Sequence, residues 1–233
     1  MSTIDKKSAN LPAGLEALFA EDTGKGFEEV TSNDIQIPFL RIIQQMSPQI
    51  NKKEAGFIEG AAGGDVFNTV TNKHWDGDKG VVVIPVYFQM KLLEFVPRDQ
   101  GGGFSGELSA TSEEVRTAER DQATGMELLT NGNELVRTAQ HYIKIVHEDG
   151  TLENAIVDMK KTQLKKSRLW MSMMTMQKHN SKTLPSYACT YRLKTVEDGN
   201  DKGNWNTWSI SHEGMVPSVD AYNDCKELHT NVS

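Results

Sequence analysis

The stretch from Gly80 to Arg98, GVVVIPVYFQMKLLEFVPR, limits the possible folds more than any other part of this sequence. It is rich in β-branched and aromatic residues, which suit a pleated, half-buried surface. It also exceeds the usual length of a flat strand. Pro85 cannot donate to a ladder, so it marks an edge or a bend within the run. A long bent strand is what a small sheet requires to curl into a barrel.

The neighbouring segments extend that reading. DQGGGFSG reads as a loop and TSEEVRTAERD as a short polar helix, with Thr111 and Glu114 at capping-box spacing, so residues of about 98–133 form a helical insertion. NELVRTAQHYIKIVHEDG and TLENAIVDMKK read as two strands joined at Asp149-Gly150. TQLKKSRLWMSMMTMQKHN is the clearest helix, PSYACTYRLKTVE and NWNTWSISHEG are strands, and a closing helix starts at about Ser218. The order is long strand, insertion, hairpin, helix, strand, strand. It matches a mainly β (α+β) fold, an OB-like five-stranded antiparallel barrel with one helix between strands 3 and 4 and a C-terminal helix. A different small barrel or an α+β sheet has a similar order. Residues 1–35, acidic and Gly-punctuated, read as a mobile N-terminal arm, and residues 36–233 as one domain. The chain has no apolar run near the length that spans a bilayer, and its start lacks a signal-peptide core, so a cytoplasmic protein is expected.

Charge is distributed unevenly. The chain carries −7, yet Lys160 to Thr195 contains nine Lys and Arg and no Asp or Glu. On a helical wheel Lys161, Lys165, Arg168 and Ser172 form a narrow stripe, with Leu164, Leu169, Trp170, Met171, Met173 and Met174 around the rest. Alternation along the next strand sets Tyr187, Cys189, Tyr191 and Leu193 on one face and Arg192 and Lys194 on the other. A positive groove with aromatic platforms is what single-stranded nucleic acid requires. The candidate contacts are Lys160, Lys161, Lys165, Arg168, Arg192 and Lys194, with Tyr142 beside Lys144, and Trp205 and Trp208. Phe95, Tyr87 and Phe88 supply further aromatic rings. A solvated helix face and core-filling aromatics are the structural alternatives.

Other chemistry is sparse. The six histidines fall on different elements without metal-ligand spacing, and no P-loop, G-x-S-x-G or H-E-x-x-H motif occurs. Cys189 and Cys225 form no CxxC pair. Neither an enzyme nor a cofactor or metal is expected.

At IPFLRIIQQMSPQI, GDVFNTVT, VVVIPVYFQMKLLEFVPRDQGGGF and LPSYACTYRLKTV the chain resembles a family of bacteriophage proteins of similar length, over about residues 36–212. Within phage biology it most resembles the single-stranded DNA-binding proteins of replication and recombination. The resemblance implies a sequence-tolerant, non-enzymatic DNA-binding protein in the host cytoplasm, with replication proteins or a host protein as further partners. The end, CKELHTNVS, lacks the acidic run common in such proteins. The alternative is an interaction protein that binds or inhibits a host or virion protein through the basic tract.

Overall fold

The computed structural model describes residues 14–30, 36, 38–201 and 203–233. Contacts divide the chain into residues 1–36 and 37–233. The first unit contains helix α1 (Leu15–Glu21). Residues 1–13 and 31–35 of the expected arm lie outside the described residues.

The second unit opens with a small antiparallel sheet of β1 (Leu40–Ile42), β2 (Val66–Asn68) and β3 (His74–Trp75). The main sheet is built on β4 (Val81–Phe95), the run that dominates the sequence. The insertion contributes β5 (Phe104–Leu108), helix α2 (Glu113–Arg116), β6 (Glu119–Arg120) and β7 (Glu127–Leu128). Its cap is Ser112, whose hydroxyl accepts from the Val115 amide, one residue beyond the expected Thr111. Strands β8 (Glu134–Val146) and β9 (Leu152–Lys160) form the hairpin turned at Asp149-Gly150. Helix α3 (Leu164–Thr175) follows, then the two-residue strands β10 (Lys178–His179) and β11 (Lys182–Thr183). The chain ends in β12 (Cys189–Asn200), β13 (Gly203–Met215) and helix α4 (Val219–Val232), capped by Ser218.

The main sheet is an antiparallel, curled half-barrel. It has eight strands where the sequence suggests five, because the insertion adds β5 beside β4 and β6–β7 beside β8. The five long strands run in the order β13-β12-β4-β8-β9. Register shifts between Pro85 and Tyr87, so the proline sits where the ladder is already irregular. No ladder joins β9 to β13 among the described residues. Residues 38–44 lie between these strands instead: the Ile156 amide donates to the Pro38 carbonyl at 2.9 Å, and the Gln44 amide group exchanges two hydrogen bonds with the Asn206 backbone.

The loop that carries the chain from β2 into β4 lies flush against β12. A Cβ at Gly77 would stand 2.1 Å from the Gly64 carbonyl oxygen, and Thr195 donates to that same oxygen. Only glycine fits such an approach.

Alternation decides what is buried. One face of β8 and β9 gives Ala139, Ile143, Ile145, Ala155, Val157 and Met159 to the main core, where Trp170, Met174, Tyr191 and Trp208 join them. Helix α3 covers this core through Ser167, Trp170 and Met174. Leu169 departs from the expected wheel and is 53% exposed. On β12, Cys189, Tyr191 and Leu193 are buried and Lys194 is exposed, as alternation requires. Helix α4 packs elsewhere, with Cys225 against Ile84 and Val86.

His141 is enclosed in the core. Its ring stacks on Trp170 with centroids 4.7 Å apart, and its Nε2 lies 2.9 Å from the Ser167 hydroxyl. Burial disfavours the charged ring and brings its pKa from 6.5 to about 4. The unfolded chain therefore takes up this proton first on acidification. Stability is full above about pH 6.5 and falls as pH drops toward 4, by roughly 3 kcal/mol from this group. Urea midpoints measured against pH should show that fall in the native protein and lose this component in His141→Gln. Equal profiles would contradict the assignment. Trp170→Ala should cost ~3–5 kcal/mol in the same assay, the usual range for a large aromatic removed from a core.

Candidate nucleic-acid interface

The opposite face of β4, β8 and β9 is apolar at Ile84 and Val146, where α4 packs, and further along carries polar and aromatic side chains. Cross-strand register sets Gln89, Gln140 and Asp158 in one row and Lys91, Thr138 and Lys160 in the next. Phe95 stands opposite Glu134 at the end of the ladder. Residues directly opposite one another share a face. Two depressions meet here at Lys160. One, of about 600 Å³, lies between the strand ends and the insertion, lined by Phe95, Arg98, Met126, Val136, Lys160 and Lys161 among others. The other, of about 260 Å³, is lined by Arg41, Gln44, Asp158, Lys160, Gln163 and Trp208 among others.

Lys160 carries its ammonium 5.2 Å above the Phe95 ring, a cation–π contact. Desolvation lowers its pKa, and the nearby Asp158 carboxylate opposes the shift. Phe104 from β5 meets Phe95 edge-on at 5.7 Å and is itself 62% exposed. A pair of rings beside an ammonium can present a stacking surface next to a phosphate-binding charge. At Lys161 the chain turns with φ of 53°, a conformation unusual for a residue with a side chain. Its ammonium is tied to Glu134 at 2.9 Å. The turn delivers the chain into α3, where Lys165 and Arg168 are exposed. Neither makes an ion pair among the described residues.

The remaining candidates are placed elsewhere. Arg192 is clamped by Glu213, with its Nε and Nη2 at 2.9 and 3.0 Å from the two carboxylate oxygens. That contact raises the arginine pKa and lowers the glutamate pKa. Lys194, on the same face, is exposed. Lys144 is buried and its Nζ donates to Asp224 of α4 at 2.6 Å. Tyr142 accepts from Gln89 at 2.8 Å and meets Tyr87 edge-on. Trp208 is 1% exposed, and Trp205 is half-buried with an indole N–H that has no partner among the described residues. Neither tryptophan offers an open face of the kind Phe104 does.

Lys160, Lys161, Lys165 and Arg168 thus follow one another at the β9–α3 junction, with Lys161 tied to Glu134, while Lys144 and Arg192 are held by ion pairs and Trp208 by the core. Sequence reasoning missed Arg41, Arg98 and Phe104. Only the GGGF pattern signalled Phe104, since three glycines before a lone aromatic leave it poorly covered.

The ion pair that withdraws Lys144 gives a test. Asp224→Asn leaves the lysine buried without its counter-charge. Because Asp224 is about half exposed, the cost should be only about 1–2 kcal/mol in urea unfolding, below that of a fully buried pair. An unchanged midpoint would show that α4 is held without this contact.

The family model described as Pam3 phage gp34-like protein matches residues 6–233. No curated protein and no solved structure matches the chain. Among the described residues no helix is long and apolar enough to cross a membrane.

Proposed function

We propose, from the premise that this chain belongs to the Pam3 phage gp34-like family, that it is a sequence-tolerant single-stranded DNA-binding protein of phage replication or recombination. In this reading the five long strands act as an OB-like barrel, with β8 and β9 as its second and third strands. OB folds bind oligonucleotides on those two strands and the loop before them, which here is the insertion beside Phe95 and Lys160. The observation that carries the proposal is the junction of β9 and α3. There Lys160 stands over Phe95, with Phe104 exposed beside it and the free Lys165 and Arg168 following in the chain. Phosphates track the cations and bases stack on the rings, with no covalent chemistry. The host cytoplasm is where such a protein would act.

One observation favours the alternative, a phage protein that binds a host or virion protein. Leu169 in α3 and Met176 just beyond its end, 53% and 76% exposed, accompany the exposed Lys165 and Arg168. Mixed apolar and basic character suits a protein partner as well as a polyanion.

Salt separates the two. Three to five phosphate contacts on a single strand correspond to a log–log slope of about −2 to −3.5. Fluorescence anisotropy with labelled (dT)15 at several salt concentrations should give that slope. Lys165→Glu with Arg168→Glu should lower affinity by roughly one to two orders of magnitude at low salt, with the fold intact because both side chains are solvated. Phe104→Ala should remove a stacking contact of ~1–3 kcal/mol and change stability by less than about 0.5 kcal/mol. A slope near zero, or tighter binding to duplex, would favour the protein-partner reading.

A further inference from the structure

Asp158 lines the smaller cavity and has one unmet valence. Its Oδ1 is buried and has no hydrogen-bond donor among the described residues. Gln140 stands opposite Asp158 in the β8–β9 ladder, and its amide favours the ionised carboxylate. Among the described residues no Lys or Arg nitrogen stands within the 4.0 Å of an ion pair, although Arg41 and Lys160 act on it electrostatically. A buried carboxylate oxygen without a donor carries an uncompensated desolvation cost. That cost raises the pKa of the group, and the two cations only partly offset it.

The cavity therefore presents an acceptor without a donor, bordered by two exposed cations, Arg41 and Lys160, whose charged groups lie over Phe39 and Phe95 and form no ion pair among the described residues. Its volume of about 260 Å³ lies just below the range typical of drug-sized ligands, so it suits a single flat base better than a whole nucleotide. Trp208 and Leu40 supply apolar lining, and Gln163 a further amide. Each base has some donor next to some acceptor. Guanine has the most of both: the N1–H and N2–H groups as donors, and O6 and N7 as acceptors for which Arg and Lys are the usual partners.

We propose that this cavity is a guanine pocket, in which Asp158 accepts from N1–H and N2–H while Arg41 or Lys160 donates to O6 or N7. The inference rests on the strand-binding reading, because Lys160 also borders the larger depression through which the rest of the strand would pass. It changes that reading in one respect. Binding is tolerant along most of the strand and selective at one nucleotide.

The test compares (dT)15 with the same strand carrying one central dG, and with inosine at that place, which lacks the N2 amine. Native protein should bind the dG strand about tenfold more tightly than (dT)15, within the range for one well-recognised base, and inosine should lose a large part of the gain. In Asp158→Asn, which preserves shape and is checked for folding by circular dichroism, the dG-to-dT ratio should fall to near one. Arg41→Gln should lower the ratio as an independent variant. Free 5′-GMP is titrated in parallel. Saturable GMP binding that is lost in Asp158→Asn, without a dG preference in strands, assigns the guanine pocket to a free nucleotide. Equal affinity for the dG and dT strands with no GMP binding overturns the pocket and leaves strand binding standing. Failure to bind any strand or GMP overturns both.

Discussion

The antiparallel ladder between β4 and β8 is the constraint on which the other parts depend. It pairs Val82 through Phe95 with Glu134 through Val146, broken in register only near Pro85. The rest of the sheet is built outward from this pair: β12 attaches to the start of β4 and carries β13, β9 attaches to β8, and the insertion attaches to the far ends of both. The bend at Pro85 lets one strand serve two neighbourhoods. Val81–Val83 at one end of β4 pair with β12, and Leu92–Phe95 at the other end pair with β5.

Alternation then assigns two roles to the same strands. The face with Ala139, Ile143 and Val157 is sealed by α3, and the other face holds Gln140, Asp158 and Lys160. The candidate site is therefore the reverse side of the core, so its side chains are held by strands whose register is fixed by burial. Lys160 ends β9, and Lys161 begins the turn into α3. A shift of one residue in β9 would point Lys160 into the core, which makes its placement as firm as that of Met159.

Counting basic residues in the sequence located the charge but not its availability. Lys144 and Arg192 each have the composition of a phosphate contact, yet Asp224 and Glu213 neutralise them from distant parts of the chain. Asp224 lies 80 residues from Lys144, and no local pattern announces the pair. Lys165 and Arg168 could be read correctly because helical periodicity is local: residues three apart share a face whatever surrounds the helix. Leu169 could not, because the wheel shows its angle but not how far the core extends. The tryptophans illustrate the same limit. Their spacing in β13 separates Trp205 from Trp208, but only packing shows that Trp208 is the one in the core.

The sequence by itself determined the order of the five long strands and of α3 and α4, the hairpin at Asp149-Gly150 and the alternation of β12. Each rests on a period of two or 3.6 residues, or on a turn whose backbone needs particular residues. It also marked the phage family and the acid-free tract. Tertiary structure alone decided which cations are free, and that the insertion completes the sheet instead of standing apart from it. It also placed residues 38–44 between β9 and β13, and left the Asp158 oxygen without a donor next to Arg41 and Lys160. These depend on contacts between residues far apart in the chain, where free energy is set by burial and by the partner that happens to be opposite. A single sequence carries no periodic trace of such pairings.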